Sequence, residues 1–171
     1  MMKLSTMLLV AGALALAACN NPDRYGAGGA GAGGAGGISQ GGLGDPSNPA
    51  SPAYFAQTIG DRVLFAVDQS VLSPEARATL TAQAGWLAQN PQYTVIVEGH
   101  ADEQGTREYN LALGARRASA VQDFLIAQGV AGNRLRTVSY GKERPLAVCS
   151  EESCYAQNRR AVSVISTGAG V

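Results

Sequence analysis

Residues 98–117, EGHADEQGTREYNLALGARR, put four acids, one histidine and three arginines into twenty positions, directly behind the apolar run of Tyr93, Val95, Ile96 and Val97. Three kinds of chemistry draw on such a set. A metal centre would recruit His100 with Glu98, Asp102 and Glu103, but it needs further nitrogen or sulfur ligands at metal spacing. The chain has no second histidine, and its cysteines lie far off in sequence. A serine hydrolase would show a GxSxG nucleophile elbow, and from Ala53 onward none occurs. The third kind is non-covalent binding of a ligand that needs both signs of charge. No cofactor, no metal and no catalysis are expected on this reading.

The elements that must position these residues are visible around them. DRVLFAVD carries Val63, Leu64 and Phe65 as a short buried strand. A helix follows, with Ser73 as N-cap, Pro74 at the first helical position and Glu75 in the first turn. Ala76, Leu80, Ala84 and Leu87 repeat at helical spacing, and Pro91 ends the segment. YTVIVEGH is a second strand. A second helix presents Leu113, Arg117, Val121, Phe124 and Gln128 along one line and Ala118, Val121 and Leu125 along another, closed by Gly129. RLRTVSYG and RRAVSVIS alternate partially, as strands do. The order βαβαββ predicts an α/β (α+β) sandwich, with two helices on one face of a mixed sheet of about four strands.

The rest of the chain says where this domain works. Residues 1–18 read as an export signal, with Lys3 in the leading region and an apolar stretch from Met7 to Ala17. That stretch is shorter than the roughly 20 residues of a membrane-spanning helix. Leu16, Ala17 and Ala18 stand directly before Cys19, which resembles the bacterial lipobox. The resemblance implies cleavage before Cys19, a diacylglycerol on its sulfur and acylation of the new amino terminus. Several acyl chains hold where one does not, since each buried methylene contributes about 0.8 kcal/mol. Asn20 rather than Asp after the cysteine implies the outer membrane. Residues 19–52 are almost free of large apolar side chains and contain GAGGAGAGGAGG from Gly26 to Gly37, so they are expected to be a flexible tether of roughly 30 Å mean span. The folded domain is expected over 53–171. Thirteen basic and thirteen acidic side chains cancel, which gives no support to nucleic-acid binding.

Cys149 and Cys154 remain in CSEESCYAQ once Cys19 is assigned to the lipobox. Export permits a disulfide between them, and closing so short a loop contributes about 2 to 3 kcal/mol. Its expected purpose is to stiffen a hairpin-like connection into the last strand. A metal site is the alternative and lacks partners.

VEGHADEQGTREYNLALGARRASAV, followed by VSYGKERP and QNRRAV, resembles the OmpA-like peptidoglycan-binding domain over about 115 residues. The resemblance implies a non-catalytic module that grips diaminopimelate of uncrosslinked peptidoglycan stems. With the lipobox, it also implies a lipoprotein that docks with Tol periplasmic proteins during envelope constriction; a wall-binding lipoprotein without a Tol role is the second reading. Diaminopimelate carries an ammonium and carboxylates on one short scaffold, so mixed charge suits it. Carried over by motif, Asp102 would take the ammonium and Arg117 a carboxylate in a bidentate pair. Asp68 matches a polar pocket position, Val67 and Leu113 match apolar wall positions, and Glu103 stands beside Asp102. One of Arg159 and Arg160 is expected to face inward and steady the site. Val67 stands where relatives often have an aromatic and Gln104 where they often have arginine, which implies weaker affinity.

A single helix from Thr106 would carry Arg117 about 16 Å along its axis, too far for one small ligand. The expectation is therefore a turn or break between Tyr109 and Gly114, with Gly114 capping a fresh helix and Asn110 serving the break rather than the ligand. His100 is expected to pack or hydrogen-bond beside the pocket.

Overall fold

The computed structural model describes residues 44–167. The export signal, Cys19 and the Gly/Ala-rich run lie outside the described residues. Four strands, β1 (Arg62–Leu64), β2 (Thr94–His100), β3 (Leu135–Gly141) and β4 (Arg160–Ser166), form one sheet in the order β1-β4-β2-β3. β2 and β3 run parallel, and β4 is antiparallel to both β1 and β2. Helices α2 (Pro74–Gln89) and α3 (Arg107–Ala127) fill the two long crossovers, after a short α1 (Pro52–Tyr54) and before α4 (Glu152–Asn158). The α/β sandwich read from the sequence is thus the architecture found.

Alternation decides which face the helices cover. Val63, Val95, Val97 and Ala161 are buried against Leu80, Leu87, Ala118, Val121 and Leu125, while Ile96 and Val164 are paired on the opposite, open face. Leu64 also falls on that open side and is 52 % exposed, so the expected buried run Val63–Phe65 is buried only at its two ends. Ser73 caps α2, its hydroxyl accepting from the Ala76 N–H at 3.2 Å. At the other end, Arg134 donates to the carbonyls of Leu87, Asn90 and Tyr93, which supplies partners for the last turn of α2.

Three expectations are corrected. Packing begins before Ala53: the Trp86 indole N–H donates to Pro49 O at 2.7 Å, the Tyr93 hydroxyl donates to Ala50 O at 3.0 Å, and Ser51 is 1 % exposed. Two aromatic rings therefore strap residues assigned to the tether onto the core. β3 and β4 are not a hairpin, because β2 lies between them; the connection that holds α4 crosses the sheet. Finally, α3 is unbroken from Arg107 to Ala127, with Thr106 as its N-cap.

Gly114 has a different job from the cap expected of it. A Cβ on Gly99 of β2 would lie 1.8 Å from the Gly114 carbonyl oxygen, and one on Gly114 would lie 2.4 Å from the Ser139 hydroxyl and 2.8 Å from Gly99 O. The two glycines let helix and strand meet backbone to backbone. Gly85, inside the C-terminal part of α2, has nothing within 4 Å of an added Cβ. We expect Gly99→Ala to lower stability by about 3 kcal/mol or more through forced overpacking, and Gly85→Ala to raise it by about 0.5 to 1 kcal/mol through helix propensity. Urea midpoints of the two variants against wild type check both signs.

Candidate functional site

Three chain segments meet at the carboxyl end of β2: the turn after β1, the loop of residues 101–106 and the first turns of α3. Between them is a cavity of about 270 Å³. Asp68 and Asp102 supply its carboxylates, Val67 and Leu113 its apolar wall, and Gln104, Gly105, Tyr109 and Asn110 the remainder. Asp68 adopts φ 56°, a left-handed conformation that Asp tolerates better than most residues, and its carboxylate accepts a hydrogen bond from the Tyr109 hydroxyl. The turn after β1 is thereby latched to α3 across the mouth.

Asp102 is 7 % exposed, and both its oxygens are engaged. One accepts from the Gln104 N–H at 3.2 Å and the other from Arg159 Nη1 at 3.1 Å. Arg159 is itself buried; it also pairs with Glu152 and donates through Nε to Phe65 O at 3.3 Å. Burial pulls the Arg159 pKa down, the bonds to Glu152 and Asp102 outweigh it, and the net direction is upward. The inward-facing arginine foreseen in QNRR is therefore Arg159. Arg160 donates instead to the carbonyls of Asn158 and Arg144.

Arg117 is 0 % exposed and is not among the cavity's lining residues. Its Nε, Nη1 and Nη2 donate to Gln69 O, His100 O and Ala66 O at 2.8, 2.8 and 3.1 Å, and its guanidinium lies 5.2 Å from the Phe65 ring centroid. Burial pulls its pKa down to about 10, opposed mainly by the charge of Asp102. The bidentate contact expected of Arg117 is not made in this geometry, because the group is fully buried and donates to three backbone carbonyls on two segments, the turn after β1 and the end of β2. The distance that called for a helix break disappears with it: the cavity covers only the first two turns of α3, and Arg117 lies one turn beyond Leu113, behind the wall.

Glu103 is exposed and lines no part of the cavity; its carbonyl and that of Gly105 accept from Lys142 Nζ, which pins the loop. Asn110, assigned to a break that does not exist, lines the cavity and donates to Gln104 O at 2.7 Å. Tyr109 and Asn110 were legible as neighbours of Leu113, since positions four and three residues apart share a helix face. The assumed break hid that signal.

His100 ends β2 with 2 % exposure, packs on Tyr140 at 5.6 Å between centroids, and lines no part of the cavity. Among the described residues neither ring nitrogen has a hydrogen-bond partner; the Glu98 carboxylate is 3.6 Å away. Burial, then Arg160 and Arg144, push its pKa down to about 4, so the ring is neutral at pH 7. Among the described residues no three His, Cys, Asp or Glu side chains gather as a metal site.

Comparison with known proteins bears on the family and the fold. Residues 64–159 match the OmpA family. The chain is 61 % identical over 116 residues to a peptidoglycan-associated lipoprotein of Mesorhizobium japonicum, covering 68 % of each protein. It is 39 % identical over 166 residues to the protein of the same description from Pasteurella multocida, covering 95 % of this chain and 98 % of that one. Among solved structures, the peptidoglycan-associated lipoprotein from Burkholderia pseudomallei superposes with a TM-score of 0.63 at 39 % identity, over 71 % of this chain and all of that one. The C-terminal domain of Helicobacter pylori MotB shares the fold at 24 % identity, TM-score 0.59, over 64 % of this chain and 86 % of that one.

The buried neutral His100 makes stability depend on acid. Its folded pKa is lowered from 6.5 to about 4, so the unfolded chain binds the extra proton first. The stability is intact above pH 6.5 and is lost as pH falls from 6.5 toward 4, by roughly 2 to 4 kcal/mol. His100→Gln should flatten this limb of the stability curve relative to wild type in chemical denaturation at each pH.

Proposed function

The chain belongs to the OmpA family, and on that footing we propose that it is an envelope lipoprotein whose folded domain binds peptidoglycan non-covalently through diaminopimelate. The observation that carries the reading is the charge layout of the cavity: two carboxylates, Asp68 and Asp102, stand at its surface, and two buried guanidinium groups, Arg117 and Arg159, stand behind them. A double-ended amino acid matches that layout. Its ammonium meets Asp102 and Asp68, and its alkyl chain lies on Val67 and Leu113. Its carboxylate faces the amino end of α3, where helix N–H groups favour an anion, with positive potential from Arg117 behind the wall. Arg117 is then a positioning group, holding the 66–69 turn, the end of β2 and α3 together. Relatives described as peptidoglycan-associated lipoproteins support the choice of ligand.

The lipid on Cys19 would hold the chain on the periplasmic face of the outer membrane, and docking with Tol periplasmic proteins would place it in the machinery of envelope constriction during division. The module acts by grip alone, without catalysis or cofactor.

Retention of the full chain on purified sacculi tests the ligand. Asp68→Asn keeps a residue that tolerates the left-handed turn and removes one charge; we expect it to weaken retention about three- to tenfold, the scale of a charge-assisted contact. Asp102→Asn should weaken it at least tenfold. Wild-type retention by both variants would remove the cavity from the reading. In-cell cross-linking from the domain surface should yield adducts with Tol periplasmic proteins, and their absence would favour a wall-binding lipoprotein without a Tol role.

A further inference from the structure

The cation paired with Asp102 lies outside the cavity. Arg159 divides one guanidinium between two carboxylates: Nη1 goes to Asp102 at 3.1 Å and Nη2 to Glu152. Arg159 is 5 % exposed, whereas the Glu152 side chain is 67 % exposed on the outer side of the pair. Whatever share of the cation Glu152 takes is not available to cancel Asp102.

Glu152 is the first residue of α4, a helix of seven residues. So short a helix does not hold itself together in water. It is fastened at both ends. Cys154, in its first turn, is bonded to Cys149 with a Cα–Cα separation of 5.8 Å. At the far end, the buried Asn158 amide accepts from the Leu146 and Ala147 N–H groups at 2.7 and 3.1 Å and donates to Ala147 O at 2.8 Å. Cutting the bridge releases the turn that carries Glu152 and leaves the Asn158 clamp, and Arg159 beside it, in place.

We propose that Glu152, held by the Cys149–Cys154 bridge, is a positioning residue for the cavity: by drawing on Arg159 it leaves Asp102 with charge for a cationic ligand group, so the oxidation state of the cysteine pair sets ligand affinity. The choice of ligand rests on the wall-binding reading; the relay itself does not. Coupling of this kind is reciprocal. A ligand ammonium on Asp102 returns Arg159 to Glu152, firms the first turn of α4 and protects the bridge from reduction.

The test is calorimetric titration of the full chain with a stem tripeptide ending in diaminopimelate, oxidised and after reduction with a phosphine. Reduction should weaken binding about three- to fivefold, the scale of one partly exposed ion pair. Glu152→Gln should show the same loss while oxidised and no further loss on reduction. Reduced wild type, with its thiols confirmed free, binding as tightly as oxidised would overturn the proposal, as would a full reduction effect persisting in Glu152→Gln. Side-chain ¹⁵N resonances of the Arg159 guanidinium, recorded without ligand, separate the relay from the ligand assignment. They should move on reduction in wild type and stay fixed in Glu152→Gln. Unmoved resonances in wild type sink the relay, whereas moved resonances in a protein that does not bind the tripeptide support the relay and sink the wall reading.

Discussion

The contact between Gly99 and Gly114 is the constraint from which the rest of the site follows. Backbone meets backbone there, with no room for a side chain on either residue. The approach brings α3 close enough for Arg117, three residues further along, to reach the carbonyl of His100 at the end of β2. The same guanidinium then reaches Ala66 and Gln69 in the turn after β1. A buried cation is costly unless it is compensated; here three carbonyls accept from it and the nearby Asp102 charge offsets part of the cost. The cost of burial thus becomes a geometric specification, because the turn after β1, the end of β2 and α3 must be in register for Arg117 to make its three bonds.

Acids face the opening and arginines stand behind them, and burial differs accordingly. Asp68 is exposed, Asp102 nearly buried, and Arg117 and Arg159 buried. A ligand entering it would therefore meet negative charge first, in a hollow backed by two buried arginines that do not line it. The apolar wall is uneven, with Leu113 buried and Val67 54 % exposed. An alkyl chain laid on it would be covered closely on the Leu113 side and left partly wet on the Val67 side.

The sheet, both long helices and the core were legible because their periodicities are unambiguous: Ala76, Leu80, Ala84 and Leu87 on α2, and Ala118, Val121 and Leu125 on α3, all lie where spacing put them. Asp68, Asp102, Val67 and Leu113 were traceable to the cavity by motif. The role of Arg117 was not, since sequence shows a charge but not the three carbonyls that claim it. Gly114 misled for a related reason. In one dimension a helix glycine reads as a cap or a break, and only the packed partner Gly99 shows that it marks close approach. Residues 45–52 were taken for tether because they lack large apolar side chains; they are held by backbone carbonyls that accept from Trp86 and Tyr93, an anchorage that composition does not register.

β4 lies between β1 and β2 although it follows every other strand and helix in the chain. A polypeptide emerging amino end first from any conduit would present β1, β2 and β3 with the middle slot of their sheet vacant. β1 in particular would have no neighbour at all, since its three residues pair only with β4. Insertion of the final strand then closes the sheet in one step and links contacts that are distant along the chain, the kind of topology that folds slowly. Until β4 is in place β1 stays unpaired, so the sheet is complete only once the whole stretch from β1 to β4 is free to fold.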